Sequence, residues 1–486
     1  MASTETITIS KSEYESMKWQ ISDLARQLAH LKRIIYRAKS EKFIPSDPAQ
    51  GSLFEVEPVA VEEKTRQQVS YTREVSKEKK QPLRLELPAH LERVEEVIEP
   101  ADLPQGVKKI GEVVTEVLEF KAGKFFVRRI IRPKYLISTT DEQTEIRVAE
   151  LPSLPIPKGN AAASLIAWIL VSKFVDHLPF YRQRQMFKRQ QVELPESTLG
   201  GWFSAGCHLL DPMYEALKKR LLETDYLMAD ESPMPVQTKD KPGATHRGYQ
   251  WVYYDPVRRM VLFDYRQSRG REGPRQMLKD FKRYLQTDGY TVYDNLKSKE
   301  EMTLLACMAH ARRKFDQAKD NDRARAEQAL KMFAELYQIE QQARDQQMNH
   351  HQRQLLREEL SVPLLNRIEQ WLQQNLGQVA PGSGIGKAIR YTLQLWPRLR
   401  SYTQDGRFEM DNNLIENSIR PLALGRKNYL FAGSHKAAQH VAIMYSLLAT
   451  CKLNDIEPWA WLKDTLTKLP DYPANRLHEL LPGYQG

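Results

Sequence analysis

Three acidic residues lie far apart in the chain, each where a rigid element could hold it. Asp230 closes the apolar run Tyr226-Leu-Met-Ala-Asp230, and Asp288 borders the run Thr287-Asp-Gly-Tyr-Thr-Val-Tyr293. Glu416 lies within Asp411-Asn-Asn-Leu-Ile-Glu416-Asn-Ser-Ile-Arg420-Pro421. Carboxylates are hard oxygen donors, and three that converge can share two divalent cations about 3.5–4 Å apart. Such a pair activates a water or a nucleic-acid 3′-hydroxyl and stabilises the leaving oxygen of an in-line phosphoryl displacement. Two Mg²⁺ ions suit the donors, because magnesium keeps waters and takes phosphate oxygens as its other ligands, and Mn²⁺ accepts the same oxygen donors. No nucleophilic Ser or Cys motif and no Walker-type glycine loop competes for the role. A bland reading stands beside this one. The 62 Asp and Glu residues supply many triplets, Asp288-Gly is also a turn signal, and Asp411 or Glu416 can be a helix cap or an exposed charge.

Order is what separates the two readings. Tyr226–Asp230 reads as a short buried strand, and 248–254 with 260–265 as a hairpin around the turn Asp255-Pro-Val-Arg-Arg259. The spacing of Met277, Leu278, Phe281 and Leu285 predicts a helix over 273–285, and 287–293 reads as a fourth strand. A charged helical region is expected from about Glu300 to Tyr402, broken by 381–386. On a helical wheel Asn412, Asn413, Glu416 and Arg420 span about 100°, with Leu414, Ile415 and Ile419 outside that wedge. Asn412 and Asn413 are expected to support the helix that carries Glu416, Pro421 to end it, and a further apolar helix to cover 441–448.

The rest of the chain narrows the class. A net charge of +10 over 486 residues hints at a polyanionic partner. Three scattered cysteines, Cys207, Cys307 and Cys451, build neither a disulfide framework nor a four-thiolate zinc site. The N-terminus lacks an apolar signal core, and the longest apolar run, 161–175, is broken by Lys173, so a cytoplasmic, non-membrane protein is expected. Tyr14, Met17, Ile21, Leu24, Leu28, Leu31 and Ile35 alternate at spacings of three and four, the seam of a self-associating coiled coil. A polar stretch with like-charged runs follows, then β-branched alternation that reads as a hairpin turning at Lys121–Lys124. Residues 161–222 read as helix, basic helix, turn and helix, a helix-turn-helix-like order with Arg182, Arg184, Lys188 and Arg189 as phosphate candidates and Trp202 as core.

The stretches YLMADESP, HRGYQWVYY, LQTDGYTVYDN, CMAHARRKF, DGRFEMDNNLIENSIRPLALGRKNYLFAGS and LNDIEPWAWL resemble the successive motifs of the insertion-sequence 66 family of bacterial transposases. The resemblance covers nearly the whole chain. It implies an RNase H-like catalytic core with an acidic triad: Asp230 first, Asp288 second, Glu416 third, each a catalytic residue and a metal ligand. It implies cleavage and transfer of double-stranded DNA at element ends (terminal inverted repeats) and at target DNA, with small accessory proteins as further partners. Family members commonly carry a zinc-ribbon-like module ahead of the core. No cysteine precedes Cys207 here, so no zinc is expected and that module must be held by packing. Cys307-x-x-His310 resembles a motif of related transposase groups but has no matching ligand pair, so it is not read as a metal site. Arg312, Arg313 and Lys314 on one helical turn, Arg420 one turn after Glu416, and Arg426 with Lys427 could each neutralise a phosphate.

The expected architecture is therefore an α+β, multi-domain protein. It runs as an N-terminal coiled coil (1–44), a linker (45–90), a β-hairpin module (91–155), a helix-turn-helix-like segment (156–222), the first half of the core (223–298), a helical insertion (299–405), the second half of the core (406–450) and a C-terminal helical tail (451–486). Pairing two DNA ends favours a homodimer or higher homo-oligomer, working in the bacterial cytosol at the nucleoid. A DNA-binding or assembly protein with a defunct core, and a nuclease without strand transfer, remain the alternatives.

Overall fold

The structure, a computed structural model, describes residues 87–486 apart from 101–107, 122, 139–143, 158, 239–242, 297–301 and 485–486. The proposed coiled coil and nearly all of the linker lie outside the described residues. The described fold is mixed α+β, and none of its helices is long and apolar enough to cross a membrane.

A small sheet comes first. Strands β2 (Lys108–Lys121) and β3 (Lys124–Ser138) form the expected hairpin, with Gly123 at φ +82° in its tight turn. β1 (Arg93–Val97) pairs with β3 in parallel, and β4 (Thr144–Val148) pairs with it antiparallel. The hairpin is glued to its neighbours by apolar residues. Phe120 and Phe125 meet at 5.4 Å between ring centroids, and Trp168 and Phe187 from the next two helices stack on them at 5.1 Å. Those helices are α1 (Ala163–Phe174) and α2 (Phe180–Arg189), followed by the long α3 (Glu196–Leu222), in which Trp202 is buried as expected.

The second sheet has five strands: β5 (Tyr226–Gln237), β6 (Thr245–Asp255), β7 (Met260–Arg266), β8 (Arg283–Thr287) and β9 (Met302–Ala306). Their spatial order is β7-β6-β5-β8-β9. The first three are antiparallel, while β5-β8 and β8-β9 are parallel. A helix covers the free edge of β7. The helix over His435–Leu453, which contains the expected 441–448 segment, accepts the Phe263 N–H at Ser446 Oγ (2.8 Å) and the Val261 N–H at Thr450 Oγ1 (3.2 Å). Tyr214 of α3 donates its hydroxyl to the Phe263 carbonyl at 2.8 Å. Backbone groups that would otherwise invite a foreign strand are thereby satisfied.

Five readings of the sequence are corrected here. The strand that begins at Tyr226 does not stop at Asp230 but runs to Gln237 through Pro233 and Pro235. It can do so because β8 pairs only with Tyr226–Met228; beyond that point this edge of β5 meets only an isolated bridge to Ala432, which uses the Pro235 carbonyl and the Gln237 N–H, so the missing proline N–H groups break no ladder. The helix predicted over 273–285 is one short turn, α4 (Glu272–Met277), and Leu285 is buried on β8 instead. The run 287–293 is not a strand. The chain leaves β8 at Thr287, turns at Gly289 (φ +92°) and forms a 3-10 turn over Thr291–Asn295. The helical stretch expected from Glu300 opens with β9, a five-residue edge strand whose Met-Thr-Leu-Leu-Ala lacks a clear strand alternation and pairs in parallel with β8. Pro421 does not end its helix, which spans Asn413–Tyr429 and is held against the sheet by buried Ile415, Ile419 and Leu422.

Between β9 and that helix lie α5 (Met308–Ala318), α6 (Arg323–Asp345), α7 (His350–Leu356), a π-helical turn (Arg357–Ser361), α8 (Val362–Leu376) and α9 (Gly384–Arg400). The helix Asn413–Tyr429 is α10, His435–Leu453 is α11 and Pro458–Lys468 is α12.

Candidate active site

Register brings two of the acids to the same end of the sheet. In the parallel pair of β5 and β8, Met228 lies opposite Gln286, so Asp230 and Asp288 each follow two residues beyond a matched pair. Asp288 is the first residue past its strand, and its Oδ1 accepts the Tyr290 N–H at 2.8 Å. The turn signal and the carboxylate are thus the same residue. Asp230 Oδ1 accepts the Glu231 N–H at 2.7 Å.

The third acid arrives on α10, in whose first turn Glu416 sits. The segment ahead of this helix is pinned at successive points. The Phe408 carbonyl accepts from the Arg357 guanidinium (2.8 Å), and the Glu409 N–H donates to the Tyr226 hydroxyl (2.9 Å). The Met410 carbonyl accepts the Met308 N–H (3.0 Å), and the Asn412 N–H donates to the Cys307 thiol (3.2 Å). A rigid approach fixes where the first turn of α10 points, and a helix N-terminus favours an acidic side chain there.

Electrostatics tie the three together. The Asp230 carboxyl is pushed up to about 8, first by burial and then by the Glu231 carboxylate, with Asp288 and Glu416 adding to the rise. Burial lowers the His310 imidazole while the Asp288 and Glu416 carboxylates pull the other way, so this ring stands near both acids. Its Nδ1 is buried without a hydrogen-bond partner. Arg269 donates to Glu231 at 2.6 Å and lies over the Tyr290 ring at 4.2 Å. Among the described residues, no group of three or more His, Cys, Asp or Glu side chains is arranged to hold a metal ion. The acids act on one another across the site without touching a common point. Their chemistry nevertheless fits a cation: hard oxygen donors, one of them driven toward protonation by its anionic neighbours, are relieved by positive charge between them.

The remaining predicted residues fall into three groups. Arg182, Arg184, Lys188 and Arg189 are exposed on α2; Arg182 donates to Asn428 of α10 at 3.1 Å, and Arg184 and Lys188 line a cavity of about 420 Å³. Arg312, Arg313 and Lys314 are exposed on α5, where Arg312 and Arg313 share a depression with Asn413, at the Glu416 end of α10. Arg420 is exposed and makes no ion pair with Glu416, while Arg426 and Lys427 line a separate groove. Asn413 is bound to Asp411, through its N–H (3.0 Å) and its side-chain amide (2.7 Å). Asn412 is fully buried with neither side-chain polar atom partnered, and its backbone makes the Cys307 contact.

Sequence reasoning missed the parts played by Glu231, Arg269, Tyr290, Cys307 and His310. Glu231 directly follows Asp230, and Cys307-x-x-His310 was visible as a motif. Neither Arg269 nor Tyr290 carried a signal of its own, since only the turn beyond β8 brings them together.

The family model described as "Transposase IS66 family" matches residues 158–440, "IS66 C-terminal element" matches 446–482, and "Transposase C of IS166 homeodomain" matches 23–95. Uncharacterized protein y4jD of Sinorhizobium fredii (strain NBRC 101917 / NGR234) is 31% identical over 499 residues, covering 97% of this chain and 96% of the relative. Uncharacterized protein y4qI of the same organism is 34% identical over 415 residues, 81% of this chain and 76% of the relative.

Proposed function

The chain belongs to the IS66 family of transposases, and from that premise we propose that its five-stranded sheet is an RNase H-like core whose Asp230, Asp288 and Glu416 support divalent-metal-dependent cleavage and transfer of DNA strands. One observation carries the reading: register sets Asp230, on the central strand, and Asp288, just past the neighbouring parallel strand, at the same end of the sheet, and the Asp230 carboxyl, raised first by burial and by Glu231, is raised further by Asp288 and by Glu416 from a late helix. The strand order, three antiparallel and then two parallel, supports the fold assignment.

In the proposed mechanism the carboxylates of Asp230, Asp288 and Glu416 would hold two Mg²⁺ ions, or Mn²⁺ in their place, which would supply activation of the attacking oxygen and stabilisation of the leaving one. The chain's own residues do the rest. Tyr226, Cys307 and Arg357 fix the approach to Glu416, so the third carboxylate is preorganised. Arg269 balances Glu231 beside the first acid, and Arg312, Arg313, Lys314 and Arg420 bind DNA phosphates around it. The exposed cations of α2, in the helix-turn-helix-like segment, hold DNA farther along, and the heptads of the N-terminal region pair two copies so that two element ends meet. Small accessory proteins and a cytosolic, nucleoid-bound setting complete the proposal.

The test uses the full chain with DNA bearing its element ends. With Mg²⁺ the protein should nick and join that DNA. Asp288→Asn should lose both activities by at least a thousandfold while its DNA affinity stays within about twofold. Full activity in that variant removes Asp288 from the site. Nicked products without joined ones favour a nuclease lacking strand transfer.

A further inference from the structure

The distal half of the β5–α10 pair forms a groove that the acids do not use. It is lined by Pro233, Pro235, Thr245 and Arg247 on the strand side and by Ala423, Arg426, Lys427 and Leu430 on the helix side, with a volume of about 530 Å³. That lies within the usual range of small-ligand sites, ~300–1,000 Å³. Register places Pro235 opposite Arg247, so these two lie on one face of the hairpin. On α10, Glu416, Arg420, Ala423, Lys427 and Leu430 recur at three- and four-residue steps, a single stripe running from the third acid to the groove. Ala423 to Lys427 lie seven to eleven residues past Glu416, roughly 10–16 Å along the axis at 1.5 Å per residue.

Three features are unexplained by folding alone. Arg247, Arg426 and Lys427 bring three cations to the groove, and among the described residues none is in an ion pair. Nη1 of Arg426 is buried without a hydrogen-bond acceptor, a costly state that an anionic ligand would relieve. Leu430 ends the helix at φ +64°, a conformation that a branched side chain rarely adopts, and it stands 62% exposed at the rim with Phe431 40% exposed beside it. Strain that holds an apolar side chain out toward solvent, next to unpaired cations, is a mark of a binding site.

Resting on the reading of this chain as a DNA strand-transfer enzyme, we propose that the groove receives an unpaired nucleotide of a strand that has left the duplex near the acids. Its phosphate meets Arg247, Arg426 and Lys427, and its base lies against Pro233, Pro235 and Leu430. Apolar rims with adjoining cations suit single strands of any sequence, because every base has an apolar face and every linkage a charge. A paired base could not enter, since its faces are stacked within the duplex.

The experiment measures binding of the full chain, in EDTA so that no strand is cut, to three labelled probes: a blunt 20-base-pair duplex, the same duplex with a four-nucleotide dT tail, and that duplex with an abasic tail of equal length. The dT-tailed probe should bind about five- to twentyfold more tightly than the blunt one, and the abasic tail should lose most of that gain. Arg247→Glu, at an exposed position outside the three basic helices, should reduce the tail preference to within about twofold while leaving the blunt duplex bound. Leu430→Ser should remove the difference between dT and abasic tails. Equal binding of blunt and dT-tailed probes by the unsubstituted chain overturns the groove and leaves the transposase reading standing. Equal binding of dT and abasic tails overturns the base-receiving part. Binding of none of the probes overturns both.

Discussion

Lys173, at the end of α1, carries its ammonium where the fold offers little water. It lies 4.0 Å from the Phe180 ring centroid and 5.1 Å from that of Tyr429, and burial pushes its amine down to about 8. The aromatic faces return part of what desolvation costs, since a cation over a ring is worth roughly 0.5–2 kcal/mol. The sign of the pH dependence follows. The folded amine releases its proton near pH 8, whereas the unfolded one keeps it to about 10.5. The unfolded chain therefore binds more protons in that window, and stability from this group rises with pH between those values. Lys173→Met should stabilise the protein at pH 7 by about 1–2 kcal/mol, and the advantage should shrink by pH 10. Thermal midpoints of the two proteins at both pH values check it; a substitution that destabilises at pH 7 would mean that the aromatic contacts outweigh burial.

At the scale of elements, the helices between β9 and α10 do more than fill space. Glu340 on α6 accepts from Arg357 (2.7 Å) and Arg353 (2.7 Å), and Arg353 also holds Glu409 (2.8 Å). Arg357 further donates to the carbonyls of Tyr402 (2.8 Å), Asp405 (2.9 Å) and Phe408 (2.8 Å). Burial works to raise the Glu340 carboxyl, but the two guanidiniums prevail and hold it below the usual carboxylate range. Its stabilising contribution is thus fully present above the ordinary glutamate value and is lost as pH falls from there through the lowered folded value. Arg357→Met leaves Glu340 underpaired and frees three carbonyls on the approach to Glu416. A loss of about 3–5 kcal/mol is expected, as for other broken buried pairs. Thermal unfolding reads that loss, and strand cleavage should fall further than folding alone accounts for, because the third acid is no longer held in place. None of this network was legible in the sequence, where Glu340, Arg353 and Arg357 are three charges among many in a helical stretch. What could be read was the material with local cause: the hairpins, the basic helix, and the three acids, although Asp230 stands within β5 rather than at its end. The misreadings had tertiary causes. Pro233 and Pro235 are tolerated because β5 outruns β8, Pro421 because packing of Ile415, Ile419 and Leu422 holds the helix, and β9 is a short edge strand that only its pairing with β8 defines.

For the whole molecule the decisive quantity is charge that the fold leaves unspent. The chain carries +10, and the exposed cations proposed to meet DNA lie on three helices: Arg182, Arg184, Lys188 and Arg189 on α2, Arg312, Arg313 and Lys314 on α5, and Arg420 and Lys427 on α10. If the proposed DNA interface spans all three helices, six or more phosphates are neutralised, and each neutralised phosphate steepens the logarithmic dependence of affinity on salt by about 0.9. The slope should then lie at about −5 to −8, so that raising salt from about 50 to 200 mM weakens binding by three orders of magnitude or more. Replacing Arg184, Lys188 and Arg189 with Gln should make the slope shallower by about 2–3 and weaken binding to unrelated duplexes to the same degree, because phosphate contacts carry no sequence information. Titrations of the full chain against one labelled duplex at four salt concentrations measure both numbers. An unchanged slope in the triple variant would take α2 out of the interface, and a slope shallower than about −2 in the unsubstituted chain would confine DNA to the surroundings of the three acids.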